Sequence, residues 1–431
     1  MTLLATWETT TAPAVAVEQT ENQAIAVFWG ATIPAIPDRL SLEQARSGMS
    51  YETAFDRLLQ EQQRWLQQLH GDSRFTLSLR LITTGNSQQD LIFGLVGKTQ
   101  GNSEPETIAA ARNFYNKIRD TFPQGYPLEP CQELEQLALL RLPFLPDRAG
   151  TLAEFRRSLT PLATIATAER PERRGVQIDP WQPQNSHFQD LLRALVNHPA
   201  PAAVAVNLRP AQLTPDELRY IADRARLYAN IASISRTESS QNRVLSSSTQ
   251  YQEKLVEAET ASQAWSQLQT RWRAPFELTV GILATSEIPQ SILAALQSAI
   301  DGETTPPNAP KAGGEVAIAR SEAQKIALRQ NWADLTLHRW ANTAELARLP
   351  WLFSPEEARS LFRLPIRDRA GTWGLPSAPG ANDARRPERE RDRVDLRIGA
   401  LHLNLKQLTQ HLLICGVPGS GKTNTALHLL E

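Results

Sequence analysis

Arg74-Phe-Thr-Leu-Ser-Leu-Arg-Leu-Ile82 alternates through its whole length, with Phe75, Leu77, Leu79 and Leu81 on one side and Thr76, Ser78 and Arg80 on the other. A period of two predicts a half-buried β-strand. Just before it, Tyr51–His70 carries Phe55, Leu58, Leu59, Trp65, Leu66 and Leu69 as an apolar stripe among Gln, Arg and Glu, which predicts a helix. Just after it, Leu91–Val96 pairs with the strand across the polar turn Gly85-Asn86-Ser87, and Thr107–Thr121 is helical. Upstream, Ala24-Ile-Ala-Val-Phe-Trp29 reads as a buried strand, and residues 1–22, polar and Thr-rich, as a loose leader.

A second passage follows the same plan. Ala202–Val206 is a short apolar strand. Thr214-Pro-Asp-Glu217 opens a helix, with Thr214 capping, Pro215 in the first turn and Glu217 closing a capping box. Gln250–Trp272 is a long helix, Phe276, Leu278, Val280 and Ile282 alternate as a strand, and Ile288–Ile300 is helical. Trp65 precedes Phe75 much as Trp265 precedes Phe276. Arg141-Leu-Pro and Asp147-Arg-Ala-Gly-Thr151 return as Arg363-Leu-Pro and Asp368-Arg-Ala-Gly-Thr372, and Arg170-Pro-Glu-Arg173 returns as Arg386-Pro-Glu-Arg389. These echoes predict two related α+β modules, residues 23–175 and 176–376. Ser239–Thr249, Gly302–Gly314 and Ser377–Arg393 read as linkers. In the last of these, Asp383, Glu388, Glu390 and Asp392 interleave five arginines, which favours a solvated charged linker over residues 377–393.

Composition narrows the function. The 431 residues suffice for a sizeable core, and a net charge of −1 supplies no overall field for nucleic acid, so DNA contact needs a local patch or an assembled oligomer. Cys131 and Cys415 are the only thiols, which excludes a disulfide framework and fits a reducing cytoplasm; no zinc-ligand spacing occurs. The N-terminus lacks the pattern of a secretory signal, and no apolar run is long enough to span a bilayer, so no intrinsic membrane segment is expected.

The chemistry sits near the C-terminal end, in residues 394–431. His411-Leu-Leu-Ile-Cys415 has the length and character of a central parallel strand, and Asn424–Leu430 is helical. Between them Gly416-Val417-Pro418-Gly419-Ser420-Gly421-Lys422-Thr423 matches G-x-x-x-x-G-K-[ST] in full. Glycines at 416, 419 and 421 let the backbone close on phosphate oxygens, and successive N–H groups with the helix N-terminus form an anion nest. Lys422 reaches the β- and γ-phosphates of ATP, and Thr423 offers its hydroxyl to Mg²⁺. This predicts the start of an α/β, RecA-like P-loop nucleotide-binding domain. Gly94-Leu-Val-Gly97-Lys98-Thr99 has too short a spacing to wrap a phosphate and reads as an ordinary strand end. No catalytic acid–base pair is singled out. Only eight residues follow Thr423, so the Mg²⁺-holding acid and the water-positioning residue are expected beyond Glu431. The chain alone is expected not to turn over ATP.

Val394-Asp-Leu-Arg-Ile-Gly399, Leu401-His-Leu-Asn-Leu405, Leu408-Thr-Gln-His-Leu-Leu-Ile-Cys-Gly416 and the loop with Thr423-Asn-Thr425 resemble the HerA/FtsK superfamily of hexameric DNA-pumping ATPases, which includes HerA-like helicases and conjugative type IV secretion ATPases. Ser354-Pro-Glu-Glu-Ala-Arg-Ser-Leu-Phe-Arg-Leu-Pro365 looks like the short helix and Leu-Pro that precede the motor in conjugation-type members. Read from its residues, it is a helix capped by Ser354 and Glu357. The resemblance implies ATP and Mg²⁺ as cofactors, DNA as a partner, a homo-hexamer when complete, and front modules that dock protein partners. Two alternatives stay open: a regulatory AAA-type or signalling P-loop NTPase, whose loops the sequence Gly-Val-Pro-Gly-Ser-Gly-Lys-Thr also matches, and a non-enzymatic partner-docking chain.

Overall fold

The structure is a computed structural model. It describes residues 2–3, 13–20, 23–71, 73–85, 91–143, 150–162, 175–178, 181, 188–241, 248–300, 314–335, 346, 348–367, 396–398 and 401–403. In chain order its elements begin with β1 (Thr2–Leu3), β2 (Val15–Gln19), β3 (Ile25–Thr32), α1 (Arg39–Ser47), α2 (Tyr51–Leu69), β4 (Phe75–Thr83), β5 (Leu91–Gly101) and α3 (Glu104–Thr121). Next come β6 (Glu129–Pro130), α4 (Leu134–Arg141), β7 (Thr151–Arg157), β8 (Leu159–Leu162), β9 (Gly175–Ile178), α5 (Phe188–Val196), β10 (Ala202–Pro210), α6 (Pro215–Gln241) and α7 (Ser248–Arg271). The last are β11 (Phe276–Ala284), α8 (Gln290–Ile300), β12 (Gly314–Ile318), α9 (Glu322–Asp334), β13 (Leu352–Phe353), α10 (Pro355–Ala358), β14 (Leu396–Ile398) and β15 (Leu401–Leu403).

Eleven of these strands join in one antiparallel sheet with the spatial order β1-β2-β3-β5-β4-β10-β11-β7-β12, β6 adding to β3 and β13 to β11. One face is apolar. Trp29, Leu77, Leu79, Phe93, Leu95, Val206, Leu278 and Val280 meet Trp65 and Leu66 of α2, Phe114 and Ile118 of α3, Leu192 of α5 and Leu296 of α8. The opposite face carries Phe28, Ile82, Val96, Ala203, Ala205 and Leu283 beneath Leu137 and Leu140 of α4 and Leu328 and Trp332 of α9. The helical pair α6 and α7 has its own core around Tyr228, Trp265, Leu268 and Trp272. The α+β class therefore holds, built as helices on both faces of an antiparallel sheet.

Several expectations change. Val15–Gln19, inside the stretch read as a loose leader, is a strand paired with β3, and Val15, Ala16 and Val17 are buried. The two halves do not stand as separate modules. β10 lies between β4 and β11 and pairs with both in matching register, Val204 opposite Leu81 and Ile282, Leu208 opposite Leu77 and Leu278. The physical reason is edge protection: β4 and β11 would each expose unpaired amides, and one strand covers both. The halves share the step from a Trp-bearing helix into a strand beside β10. Their strand orders differ, β3-β5-β4 against β10-β11-β7-β12, with β7 of the first half inserted into the second. Of Ser239–Thr249, read as a linker, residues 239–241 end α6 and residues 248–249 begin α7, and residues 242–247 lie outside the described residues. Residues 302–313 and 377–393 lie outside the described residues.

Met1–Ala378 forms one compact unit and Pro379–Glu431 a second. In the second unit the described residues form an antiparallel hairpin, Leu396 opposite Leu403 and Ile398 opposite Leu401. Both strands fall in the two apolar stretches that carry the family resemblance.

Candidate functional site

The nucleotide-binding residues expected from sequence, Gly416, Val417, Pro418, Gly419, Ser420, Gly421, Lys422 and Thr423, lie outside the described residues, as do the apolar run 411–415 and the stretch 424–430. The short-spaced Gly94–Thr99 is described, and it sits within β5 rather than at a strand end. Its glycines serve packing. A Cβ on Gly97 would fall inside the Trp29 indole, and one on Gly94 would lie 2.9 Å from both the Ala31 carbonyl and the Leu140 side chain.

The polar side of the central strands is buried as well, which corrects the reading of Arg74–Ile82 as half-buried. Thr76, Ser78 and Arg80 are all enclosed, Arg80 fully. α9 is what covers them. A helix leaves its last four carbonyls without intrahelical partners. In α9 those belong to Asn331, Trp332, Ala333 and Asp334, and each accepts from a different side chain. Asn207 Nδ2 donates to Asn331 O at 3.3 Å, Arg80 Nη2 to Trp332 O at 2.6 Å, Arg141 Nε to Ala333 O at 3.0 Å, and Lys98 Nζ to Asp334 O at 2.7 Å. Three of the four donors are cations, set against the negative end of the helix macrodipole. Leu335 then ends the helix in a left-handed conformation, φ +50°.

The sheet makes room for this in its register. The row through Arg80 reads Gly94, Arg80, Ala205, Gly281 across β5, β4, β10 and β11, so small residues flank the guanidinium and admit Trp332, whose ring Arg80 overlies at 4.7 Å. The next row is a polar ladder: Ser78 Oγ donates to Asn207 Oδ1 at 2.6 Å, and Asn207 Nδ2 also points at Thr279 Oγ1 at 3.4 Å. Burial, with Arg141 nearby, pulls the Arg80 guanidinium down to about 9.

At the rim of this layer a cleft of about 850 Å³ opens between β2, β5, α3 and α9, lined among others by Glu18, Thr20, Phe28, Lys98, Gln100 and Asp334. Arg141 forks onto Glu18 at 2.7 and 3.1 Å and lies over the Phe28 ring at 3.7 Å. Burial pushes the Lys98 ammonium down to about 8, against the opposing pull of Asp334. Burial raises the Asp334 carboxyl above the usual carboxylate range despite Arg141. Burial acts the same way on Glu18, but the Arg141 fork wins and holds it below that range. Two carboxyls shifted in opposite directions thus flank an amine shifted toward neutrality.

A second buried polar centre anchors the segment that precedes the inter-unit boundary. Ser354 and Glu357 form the expected capping box of α10. The same Glu357 meets Arg157 of β7 at 2.8 Å, accepts from the Trp181 amide at 3.2 Å, and lies 3.4 Å from Trp272 Nε1. Further along, Gln62 exchanges two hydrogen bonds with the Leu364 backbone, Tyr126 Oη donates to Pro365 O at 2.6 Å, and Gln189 donates to Ile366 O. Among the described residues no group of three or more His, Cys, Asp or Glu could hold a metal ion, and no helix is long and apolar enough to cross a membrane. No protein-family model matches this chain, and no curated protein matches it.

Sequence reasoning missed the buried layer because its signals are single residues. Arg80 and Lys98 are isolated cations in apolar strands, and only the glycines beside them hint that bulky groups approach.

Proposed function

We propose that this chain is the ATP-binding front portion of a ring-forming DNA translocase or helicase-type ATPase. One observation carries the reading: a complete G-x-x-x-x-G-K-T at Gly416–Thr423, set between an apolar run of strand length and a helical stretch. Lys422 holds the β- and γ-phosphates and Thr423 the magnesium. The division of the chain at Ala378 supports this, because it leaves the motif in a unit apart from the large sheet. The sheet unit is then the partner-docking front region, and hexamer and DNA contacts belong to the complete ring.

Titration of the protein with Mg-ATP in a calorimeter tests the reading. Saturable uptake is expected, weakened at least about tenfold, or 1.4 kcal/mol, by Lys422→Ala. No heat in the folded wild type, or equal affinity in the variant, ends it. DNA then decides between partners: ATPase activity of the full-length protein that rises with DNA supports the translocase, and indifference to DNA favours the regulatory P-loop class that the loop sequence also matches.

A further inference from the structure

We propose that the pocket between the α2–β4 turn, the end of β10 and Arg348 is a binding site for the phosphate group of a small phosphorylated metabolite, gripped by Arg209 and Arg348. It is independent of the Gly416–Thr423 loop.

The pocket has a volume of about 440 Å³, room for a phosphate and a small carrier. Its lining comes from three separate stretches of chain: the turn after α2, the end of β10 with the lead-in to α6, and Arg348 ahead of β13. The two guanidinia meet at one carboxylate oxygen, Glu277 Oε2, which lies 2.6 Å from Arg209 Nη2 and 4.0 Å from Arg348 Nη1. Arg348 is also forked onto Glu217, its Nε and Nη2 at 2.7 and 2.9 Å. Charge is balanced in number, two cations against two carboxylates, but not in direction. The Glu277 side chain is fully enclosed, and among the described residues no carboxylate lines the pocket. The cavity meets guanidinium groups with their carboxylates behind them.

Arg209 is the cation short of counter-charge. It gives one Nη to Glu277, and 34 % of its side chain is exposed. Burial and then the neighbouring Arg348 pull its guanidinium down, whereas the Glu217 fork raises that of Arg348. An oxyanion seated against both guanidinia relieves that imbalance, and their planar forks match phosphate oxygens. The surroundings are fixed in advance. His70 Nε2 donates to Ala211 O at 3.0 Å and Pro275 O at 3.2 Å, and its ring stands edge-on to Phe276, which ties the α2–β4 turn to the end of β10. Thr214 Oγ1 accepts from Glu217 N at 3.2 Å, which leaves its own proton for a ligand, and Ser73 brings a second hydroxyl to the lining. Donors held in place before binding lose little freedom on taking up an anion.

Equilibrium dialysis of the full chain against radiolabelled orthophosphate tests the site, with Lys422→Ala run beside the wild type to set the nucleotide loop apart. One saturable site should survive Lys422→Ala. In that background Arg209→Gln should weaken it about tenfold, as loss of a charge-assisted contact demands, and Ser73→Ala, at an exposed turn position, about threefold. Glycerol 3-phosphate should displace the label and an oligothymidylate should not. Uptake that Lys422→Ala abolishes, uptake unmoved by Arg209→Gln, or displacement by the oligothymidylate alone overturns the proposal. If Arg209→Gln loses its thermal transition, Ser73→Ala decides, and an unchanged affinity there overturns it equally. Failure of Mg-ATP to bind the wild type leaves this measurement intact, so the two readings fall separately.

Discussion

Arg80 shows most sharply how a single residue can be costly and still be kept. It is wholly enclosed, its Nε and Nη1 make no hydrogen bond, and no carboxylate pairs with it among the described residues. What offsets the charge is the Trp332 carbonyl, the indole face and the negative end of α9. Replacing this unpaired buried cation by an apolar side chain of similar reach relieves its desolvation, and against that stands the loss of one hydrogen bond to the Trp332 carbonyl. Arg80→Met should therefore leave stability unchanged or raise it by about 1 kcal/mol in urea unfolding. A loss above about 2 kcal/mol would show that the guanidinium contributes more through its helix-end contact than its desolvation costs.

At the scale of elements, β5 has to pass beneath Trp29 and Leu140 while pairing on both sides, and glycine at 94 and 97 is how it does so. Gly97→Ala forces a methyl group into an indole that is itself packed edge-on against Phe114 and Tyr115 at 5.6 and 5.2 Å. Overpacking of a rigid neighbour should cost about 1–3 kcal/mol, read as a lowered Tm. An unchanged Tm would mean that Trp29 has room to move. Much at this scale was legible in the sequence: α2, the β4–β5 hairpin, the capping boxes at Thr214 and Ser354 and the alternation in β11 depend on local periodicity and cap chemistry. What local pattern could not show was that polar faces of strands are covered too, because the cover, α9, is remote in sequence.

Across the whole sheet unit, Glu357 joins regions far apart in the chain: β7 through Arg157, the backbone at Trp181, the end of α7 through Trp272, and its own helix cap. Glu357→Ala leaves Arg157 buried without that carboxylate and should destabilise the protein by about 3–5 kcal/mol in denaturant unfolding. The paired replacement Arg157→Met with Glu357→Leu removes both charges and should recover most of that loss. A single-variant cost below about 1 kcal/mol would mean that this centre does not hold these regions together.

The order of residues alone determined the α+β class, the helices α2, α3, α6, α7 and α8, the strands β3, β4, β5, β10 and β11, the capping boxes and the G-x-x-x-x-G-K-T spacing at Gly416–Thr423, because each follows from pattern within a few residues along the chain. Only the folded arrangement decided that the two halves share one sheet through β10, that Arg80, Lys98, Arg141 and Asn207 converge on the end of α9, and that Lys98, Glu18 and Asp334 line one cleft. Those features depend on strand register and on helices packed from distant segments. A cation's burial is set by what lies above it, which no local spacing records.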